Sequence, residues 1–458
     1  VKLTKFIETL FQRFLPSPFA IAIILTLLTL FLAWIGTEPS GTNSHFLTIL
    51  SYWERGIWSN DLLVFAYQMM LILVLGHILV LSVPVNKMIQ WLTKSVHNTQ
   101  SAVVLVSVST LLVSFFNWGL GLIFGAIMAR KVGEIAQERG FPINYPLVGA
   151  SGYVGLMIWH GGISGSAPSK VSESGHLESI MKGIDNPELT NQIPDLIPYS
   201  DTVFSIPNLI LFLIFLIIVP VFLKYVAKNA TTTSIELPIY NNSIANEESE
   251  KKSFRLDHFK YIGWGFGILI LVAFFYQYYS SLSNWIVTPN MLNFFMLGLA
   301  LILHGSFARF LHAVEEAIKG TSGILIQFPL YFGIMGIMKG TGMVTDISQF
   351  FVSIATETTL PIFTFFSAGL VNIFVPSGGG QWAIQGPIVI ESAIQLGVPL
   401  NKAIMALAYG DQLTNMLQPF WALPLLGITR LKAKEILPYT LLLMLLGGVV
   451  FILGLLLW

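Results

Sequence analysis

The sequence predicts an all-α polytopic membrane protein built from two inverted repeats, each with a re-entrant helical hairpin and an interrupted helix. About nine full spans are expected besides the two hairpins. Three observations lead there: an apolar composition, a series of apolar segments of membrane-crossing length, and a short internal match at corresponding places in the two halves. Of 458 residues, 54% are hydrophobic and 10% charged, against roughly 25% charged residues in soluble domains. The formal net charge is zero, which gives no sign of a nucleic-acid partner. The absence of cysteine excludes disulfides, thiolate metal sites and cysteine nucleophiles.

In chain order the apolar segments are 18–36, 62–84, 145–163, 203–226, 262–281, 291–308, 323–342, 402–428 and 436–458. The first is too long for a signal-peptide core and lacks a small-residue cleavage site, so it reads as a retained span. Two stretches differ. Residues 101–116 reach Asn117-Trp118-Gly119 and turn into 120–133; residues 358–375 reach Pro376-Ser377-Gly378-Gly379-Gly380 and turn into 381–395. Arms of about 14 to 18 residues are short for a crossing, and Gly and Pro unwind helix. Re-entrant hairpins over 101–133 and 358–395 are therefore expected, their unwound backbone satisfied by protein or a wet cavity.

Basic residues set the orientation. Lys2, Lys5, Arg13, Lys87, Lys94, Arg130, Lys131, Arg139, Lys224 and Lys228 fall on one side if the N-terminus is cytoplasmic. Lys251, Lys252, Arg255, Lys260, Arg309, Lys319, Arg430, Lys432 and Lys434 fall on that side too. The opposite loop, 164–202, holds Glu173, Glu178, Asp185, Glu188, Asp195 and Asp201 against Lys170 and Lys182.

The internal match aligns EIAQERGFPIN (134–144) with ESAIQLGVPLN (391–401) and superposes the hairpin breaks near Gly121 and Gly378. It divides the chain into a first repeat (1–226), a polar cytoplasmic linker (227–261), a connecting span (262–281) and a second repeat (282–458). One odd span between the halves turns the second upside down. Inverted repeats with broken helices meeting at the midplane mark secondary transporters.

Nearly all polarity at membrane depth lies at the hairpin tips and in the interrupted spans. Asn117, Trp118 and Gly119 form one tip; Ser377, Gly378, Gly379, Gly380, Gln381, Trp382 and Gln385 form the other. Glycines expose the amides that open a helix, and such an N-terminus attracts anions. These residues are the candidate substrate site. The bland alternatives are a simple turn at the glycines and a helix cap at Asn117. Asp411 is the one acid near the middle of an apolar segment, which makes it a functional candidate. With Thr414 and Asn415 it presents oxygens at i, i+3 and i+4; they suit Na⁺, or Asp411 alone suits a proton. Trp159, Trp382 and Trp421 are candidates for an apolar wall. His160 reads either as a proton group or as a structural histidine, His77 and His304 as core residues, and Glu134 and Glu391 as solvent-facing.

At these residues, FVPSGGGQWAIQGP (374–387), FNWGLGLIFGAIMAR (116–130) and YGDQLTNMLQPFW (409–421) together resemble the bacterial short-chain fatty acid transporter family over essentially the whole chain. The family is placed within the ion-transporter superfamily. The resemblance implies two inverted repeats with hairpins, a transport domain moving against a scaffold, a homodimer, an inner-membrane location, and a monocarboxylate cargo of the butyrate or acetoacetate type. Dicarboxylate carriers of the superfamily place a Ser-Asn-Thr type motif at their tips, where this chain has Asn117-Trp118-Gly119 and Ser377-Gly378-Gly379. A simple carboxylic acid resembles a Glu side chain, with a pKa of about 4.3, so near neutral pH it is an anion. It asks for a modest positive field and a short apolar wall. The expectation is thus an ion-coupled carrier, not an enzyme, with no cofactor beyond a possible Na⁺. The competing readings are a passive small-anion channel and, remotely, an intramembrane serine protease using GASG (149–152) or GISG (162–165) with His304.

Overall fold

Long apolar runs become helices because the backbone has no other hydrogen-bond partner in lipid. The computed structural model describes residues 9–11, 13–39, 44–181, 192–233, 236–237, 257, 259–283 and 287–458. Among them the chain is helical throughout, its one β-bridge joining Ile143 to Thr233. Much of the expected linker lies outside the described residues, with Lys2, Lys5, Lys182, Asp185, Glu188, Lys251, Lys252 and Arg255.

The first half runs through α1 (Pro18–Gly36), α2 (His45–Ile57), α3 (Asn60–Leu81), α4 (Val83–Leu92), α5 (Thr99–Phe116), α6 (Trp118–Arg139) and α7 (Tyr145–Ser151). Short 3-10 turns at Val154–Met157 and Trp159–Gly161 lead to α8 (Ser166–Val171), α9 (His176–Ile180) and α10 (Ile206–Lys228). A single helix, α11 (Lys260–Ser283), precedes α12 (Pro289–His304), α13 (Phe307–Ala317), α14 (Ser322–Gly340) and α15 (Met343–Ser353). Then come α16 (Leu360–Phe374), α17 (Gly378–Leu396), α18 (Leu400–Thr414), a 3-10 turn at Asn415–Leu417, α19 (Pro419–Thr429) and α20 (Ala433–Leu457).

Among the described residues, seven helices are long and apolar enough to cross a membrane, rather than the nine expected. The segments 145–163 and 402–428 are broken, and α12 is only 16 residues long. Conversely, α5, expected as a short hairpin arm, has 18 residues and reaches spanning length. Its partner α6 has 22 because the helix runs on past the apolar stretch. There Arg130 and Lys131 each pair with Glu134 at 2.7 Å, one turn apart, and Gly140 ends the helix at φ 69°. Glu134 is therefore held within the protein, not solvent-facing as its place at the repeat's end suggested.

The order of elements from α1 to α7 recurs from α12 onward. Each set has an apolar helix, a short amphipathic helix, a long helix, another short helix, a helical hairpin and a broken helix. The two sets exchange partners: α1 and α2 pack on α14, while α12 and α13 pack on α3. Likewise α6 packs on α19, and α17 on α8.

Small residues let these helices meet closely, as membrane packing requires. Gly56 of α2 lies against Gly333 and Gly336 of α14, and Gly125 of α6 lies against the backbone of Gly152. A side chain at Gly125 would overlap the Gly152 carbonyl, whereas one at Gly265 on α11 meets nothing within 4 Å. Gly125→Leu is expected to cost about 1–3 kcal/mol or more through overpacking. Thermal unfolding in detergent should show a lowered midpoint, with Gly265→Leu close to wild type.

Candidate functional site

Four breaks in helix converge, and each one exposes backbone groups that must find partners. Asn117, in extended backbone, separates α5 from α6 and caps α6: its Oδ1 accepts from Leu120 N–H at 2.9 Å. Ser377 does the same for α17, its Oγ accepting from Gly380 N–H at 3.2 Å. The other two breaks, residues 152–165 and 415–418, are held largely by side chains from the opposite half. Gln412 Oε1 accepts from the N–H groups of His160 (2.8 Å) and Gly161 (3.1 Å). Tyr153 donates its hydroxyl to the carbonyls of Asn415 (2.9 Å) and Gln418 (3.2 Å). Asn208 Nδ2 donates to the Gly161 carbonyl at 2.9 Å, and Tyr409 donates to Asn208 Oδ1 at 2.7 Å.

Between the tips lies a cavity of about 720 Å³. Phe65, Trp118, Trp159, Trp421, Ser164, Ser377, Gly378 and Gly379 are among its lining residues. The aromatic wall is continuous: Trp118 lies 5.7 Å from Trp159 and 5.2 Å from Trp421, centroid to centroid, and Phe65 lies 6.2 Å from Trp421. The indole N–H groups of Trp159 and Trp421 are buried without an acceptor. Ser164 Oγ accepts from Trp118 N–H at 2.9 Å, leaving its own hydrogen free to point at the cavity. At the wider end, Lys170 pairs with Glu173 at 2.9 Å, both about half exposed.

The first turn of α17 opens on this cavity. Gly380 N–H is taken by Ser377 Oγ and Gln381 N–H by the Ser377 carbonyl, which leaves the amides of Gly378 and Gly379 at the positive end of the helix. Gly378 is required by crowding, since a Cβ there would sit 2.7 Å from Trp159 and 2.9 Å from His160. Gly379 has room: its nearest neighbour would be Ser166 Oγ at 3.9 Å.

The expected site residues thus divide. Trp118, Ser377, Gly378 and Gly379 line the cavity; Asn117 and Gly119 lie just behind it, and Asn117 serves as a cap. Gln381, Trp382 and Gln385 lie further along α17 and outside the cavity lining. Gln381 donates to the Ala368 carbonyl (2.8 Å) and to Gln385 Oε1 (2.7 Å), and Gln385 donates to Ser348 (2.7 Å) and Ser367 (3.1 Å). They join α17 to α15 and α16. Trp382 donates its indole N–H to His176 Nε2 at 3.0 Å, so of the three expected wall tryptophans only Trp159 and Trp421 are in the wall. Gly380 packs toward Ser377 and Met335.

Behind Gly378 lies a buried pair, Asp411 with His160, both essentially inaccessible. Ala167 N–H donates to His160 Nε2 at 3.0 Å, which leaves the imidazole proton on Nδ1, donated to Asp411 Oδ2. The His160 ring stacks on Trp159 at 4.5 Å. Asp411 Oδ1 has no partner.

Asp411, Thr414 and Asn415 do lie together, yet their oxygens are engaged by donors. Asn372 Nδ2 lies within hydrogen-bond reach of Asn415 Oδ1 (2.7 Å), Thr414 Oγ1 (2.9 Å) and the Asp411 carbonyl (2.6 Å), with two hydrogens to share among the three. Two of the three side-chain oxygens proposed for Na⁺ thus face a nitrogen, so the set does not fit a cation. Among the described residues no cluster of three or more His, Asp or Glu suits a metal. Asn372 was missed as a functional residue; the signal was a lone amide inside the apolar arm VNIF. The protease constellation does not form either. Ser151 donates to the Val148 carbonyl at 2.6 Å, Ser164 binds Trp118 N–H, and His304 donates to the Ile78 carbonyl at 2.8 Å.

A cavity enclosed by broken helices within a bundle of membrane-length helices is that of a multi-pass membrane transport protein. More particularly, the chain belongs to the short chain fatty acid transporter family, whose model matches residues 1–458, and that family is one of transporters, not enzymes. An Escherichia coli (strain K12) relative, provisionally named a short-chain fatty acid transporter, is 34% identical over 99% of both chains. A Haemophilus influenzae relative with the same name is 33% identical, again over 99% of both. Among solved structures, the Alcanivorax borkumensis YdaH transporter aligns over 96% of this chain and 98% of its own, with 15% identity and a TM-score of 0.45. The Neisseria gonorrhoeae MtrF pump aligns over 98% and 96%, with 14% identity and a TM-score of 0.41.

Removing the amide of Asn372 strands two buried acceptors at the break after α18. Asn372→Leu is expected to cost about 1–3 kcal/mol per stranded group, read as a lowered unfolding midpoint in detergent.

Proposed function

We propose that the protein is a secondary carrier for short-chain monocarboxylates, with the anion's carboxylate on the amides of Gly378 and Gly379 and its alkyl chain against Trp118, Trp159, Trp421 and Phe65. One observation carries this reading: the uncapped amides of a long helix open on a cavity that also presents the rings of Phe65, Trp118, Trp159 and Trp421. The helix end supplies about half a positive charge, enough to orient one carboxylate, and the aromatic wall rewards a short hydrocarbon. The Ser164 hydroxyl supplies a further donor. Lys170 is neutralised by Glu173, so the cavity holds no unpaired cation to select a dianion.

The recurring element order and the exchanged packing of α1 with α14 and α12 with α3 support an inverted repeat. With the N-terminus in the cytoplasm, the loop that carries Lys170 and Glu173 faces the outside, and the cavity is the outward-open form of the site. Alternating access then comes from the hairpin-bearing part moving against α1–α4 and α12–α15, in a homodimer in the inner membrane.

Gly379→Val tests the reading with little cost to the fold, because the added side chain enters the space in front of the helix end. It is expected to abolish saturable butyrate counterflow in proteoliposomes while leaving the unfolding midpoint near wild type. Unchanged counterflow would sink the proposed carboxylate site. Counterflow also separates a carrier from a channel, which shows none. Trp421→Ala is expected to raise the KM for butyrate by about tenfold or more, the equivalent of the roughly 1.5–3 kcal/mol that a buried large apolar side chain contributes. Gln381→Ala, outside the cavity lining, is expected to lower stability with KM little changed.

A further inference from the structure

We infer that the coupling ion is a proton, carried on Asp411 Oδ1, and that one proton travels with each carboxylate; the inference rests on the carboxylate reading just given. Three features of the pair lead there. First, Ala167 N–H points at His160 Nε2, so a second proton on the ring would set two donors face to face. His160 is thereby fixed as a neutral Nδ1–H donor, and the pair has one open place for a proton, Asp411 Oδ1. Second, Thr414 and Asn415 are already bonded to Asn372, so a cation brought to Asp411 would find their side-chain oxygens taken. Third, Asp411 shares a helix end with the proposed cargo. A Cβ on Gly378 would lie 3.2 Å from Asp411 Oδ2, so the carboxylate and the cavity flank the same first turn of α17.

Two negative charges on one helix end disfavour each other, and the relief is protonation of one of them. A monocarboxylate arriving at Gly378 and Gly379 therefore draws a proton onto Asp411 Oδ1. An O–H bond forms on Asp411 Oδ1 as a hydronium ion from solvent gives up its proton and becomes water, and it breaks when the cargo leaves on the other side. The loaded carrier holds one anion and one proton, so transport is electroneutral.

Among the described residues, no other titratable group competes for the proton. From α16 and the turn at Trp159–Gly161, only His160 faces the pair; on α17 the only such group is Glu391, near the opposite end of the helix. On α18, Lys402 at the distant start donates to the Trp458 carbonyl and Tyr409 donates to Asn208. From α8 comes Lys170, paired with Glu173; Tyr153 is bonded to Asn415 and Gln418. The charged groups of α10 and α20 lie in the last turns of one and the first turns of the other: Lys224 and Lys228, and Lys434 and Glu435.

Titration calorimetry of the full-length protein in detergent, with butyrate injected near neutral pH in two buffers of different ionisation enthalpy, avoids leakage of the free acid through lipid. The expected result is about one proton taken up per butyrate bound, with affinity unchanged when choline replaces Na⁺. Asp411→Asn is expected to bring proton uptake to zero. Asp411→Glu, which keeps the acid, and His160→Gln, which keeps a donor, are expected to retain it. Thermal unfolding checks that each variant is folded, and if Asp411→Asn is not, the other two variants decide. Loss of proton uptake in His160→Gln alone would move the proton to the histidine and overturn the assignment. Butyrate binding without proton uptake, or binding that requires Na⁺, overturns the inference and leaves the carboxylate reading standing. An absence of butyrate binding overturns both.

Discussion

Broken helix inside a membrane leaves amides and carbonyls that lipid cannot satisfy, and this constraint organises the centre of the molecule. The breaks at Asn117, 152–165, 375–377 and 415–418 find many of their partners within the protein. They are stitched to one another through Gln412, Tyr153, Asn208, Asn372 and Gln418. Even the backbone takes part, with Ile163 N–H donating to the Phe115 carbonyl at 2.8 Å. Beside that lattice, the groups without a protein partner at the cavity and the buried pair acquire chemical meaning: two glycine amides, two indole N–H groups and one carboxylate oxygen.

The division of labour across α17 follows from the same constraint. Further along the helix Gln381 and Gln385 fasten it to α15 and α16; its first turn carries bare backbone at Gly378 and Gly379. Polar side chains hold the hairpin, and the absence of side chains makes the site. The hydrocarbon wall comes from elsewhere, from α3, the tip of the other hairpin, the turn at Trp159 and α19.

Much of this was legible in the residues. α1 begins and ends where its apolar run does, and both hairpin tips were marked by Asn117-Trp118-Gly119 and Pro376-Ser377-Gly378. Asp411 stood out as an acid without an apolar excuse. What was not legible has a common cause: pattern along a chain does not say which way a side chain points at a break. Gln381 and Gln385 looked like ligands because polarity in an apolar arm serves a cargo or a neighbouring helix equally well. Thr414 and Asn415 looked like a cation site until Asn372, about 40 residues earlier, came to lie between them. The short helices α2, α4, α13 and α15 went unseen because their residues mix apolar and polar faces and never make a run of spanning length.

The stitching also has a consequence for how the protein is made. Tyr153 is separated from its acceptor Asn415 by 262 residues, and His160 from Gln412 by 252. At roughly 5–20 residues per second, the ribosome delivers the second member of each pair about 10 to 50 s after the first. Throughout that interval the broken stretch after α7 has emerged without the side chains that will hold it. The first half therefore must wait beside the insertion machinery or at the wet membrane surface, and the centre of the molecule closes only near the end of synthesis. A chain cut short before α18 would keep six of its seven described membrane-length helices but not a buried centre, which makes it a natural substrate for membrane quality-control proteolysis.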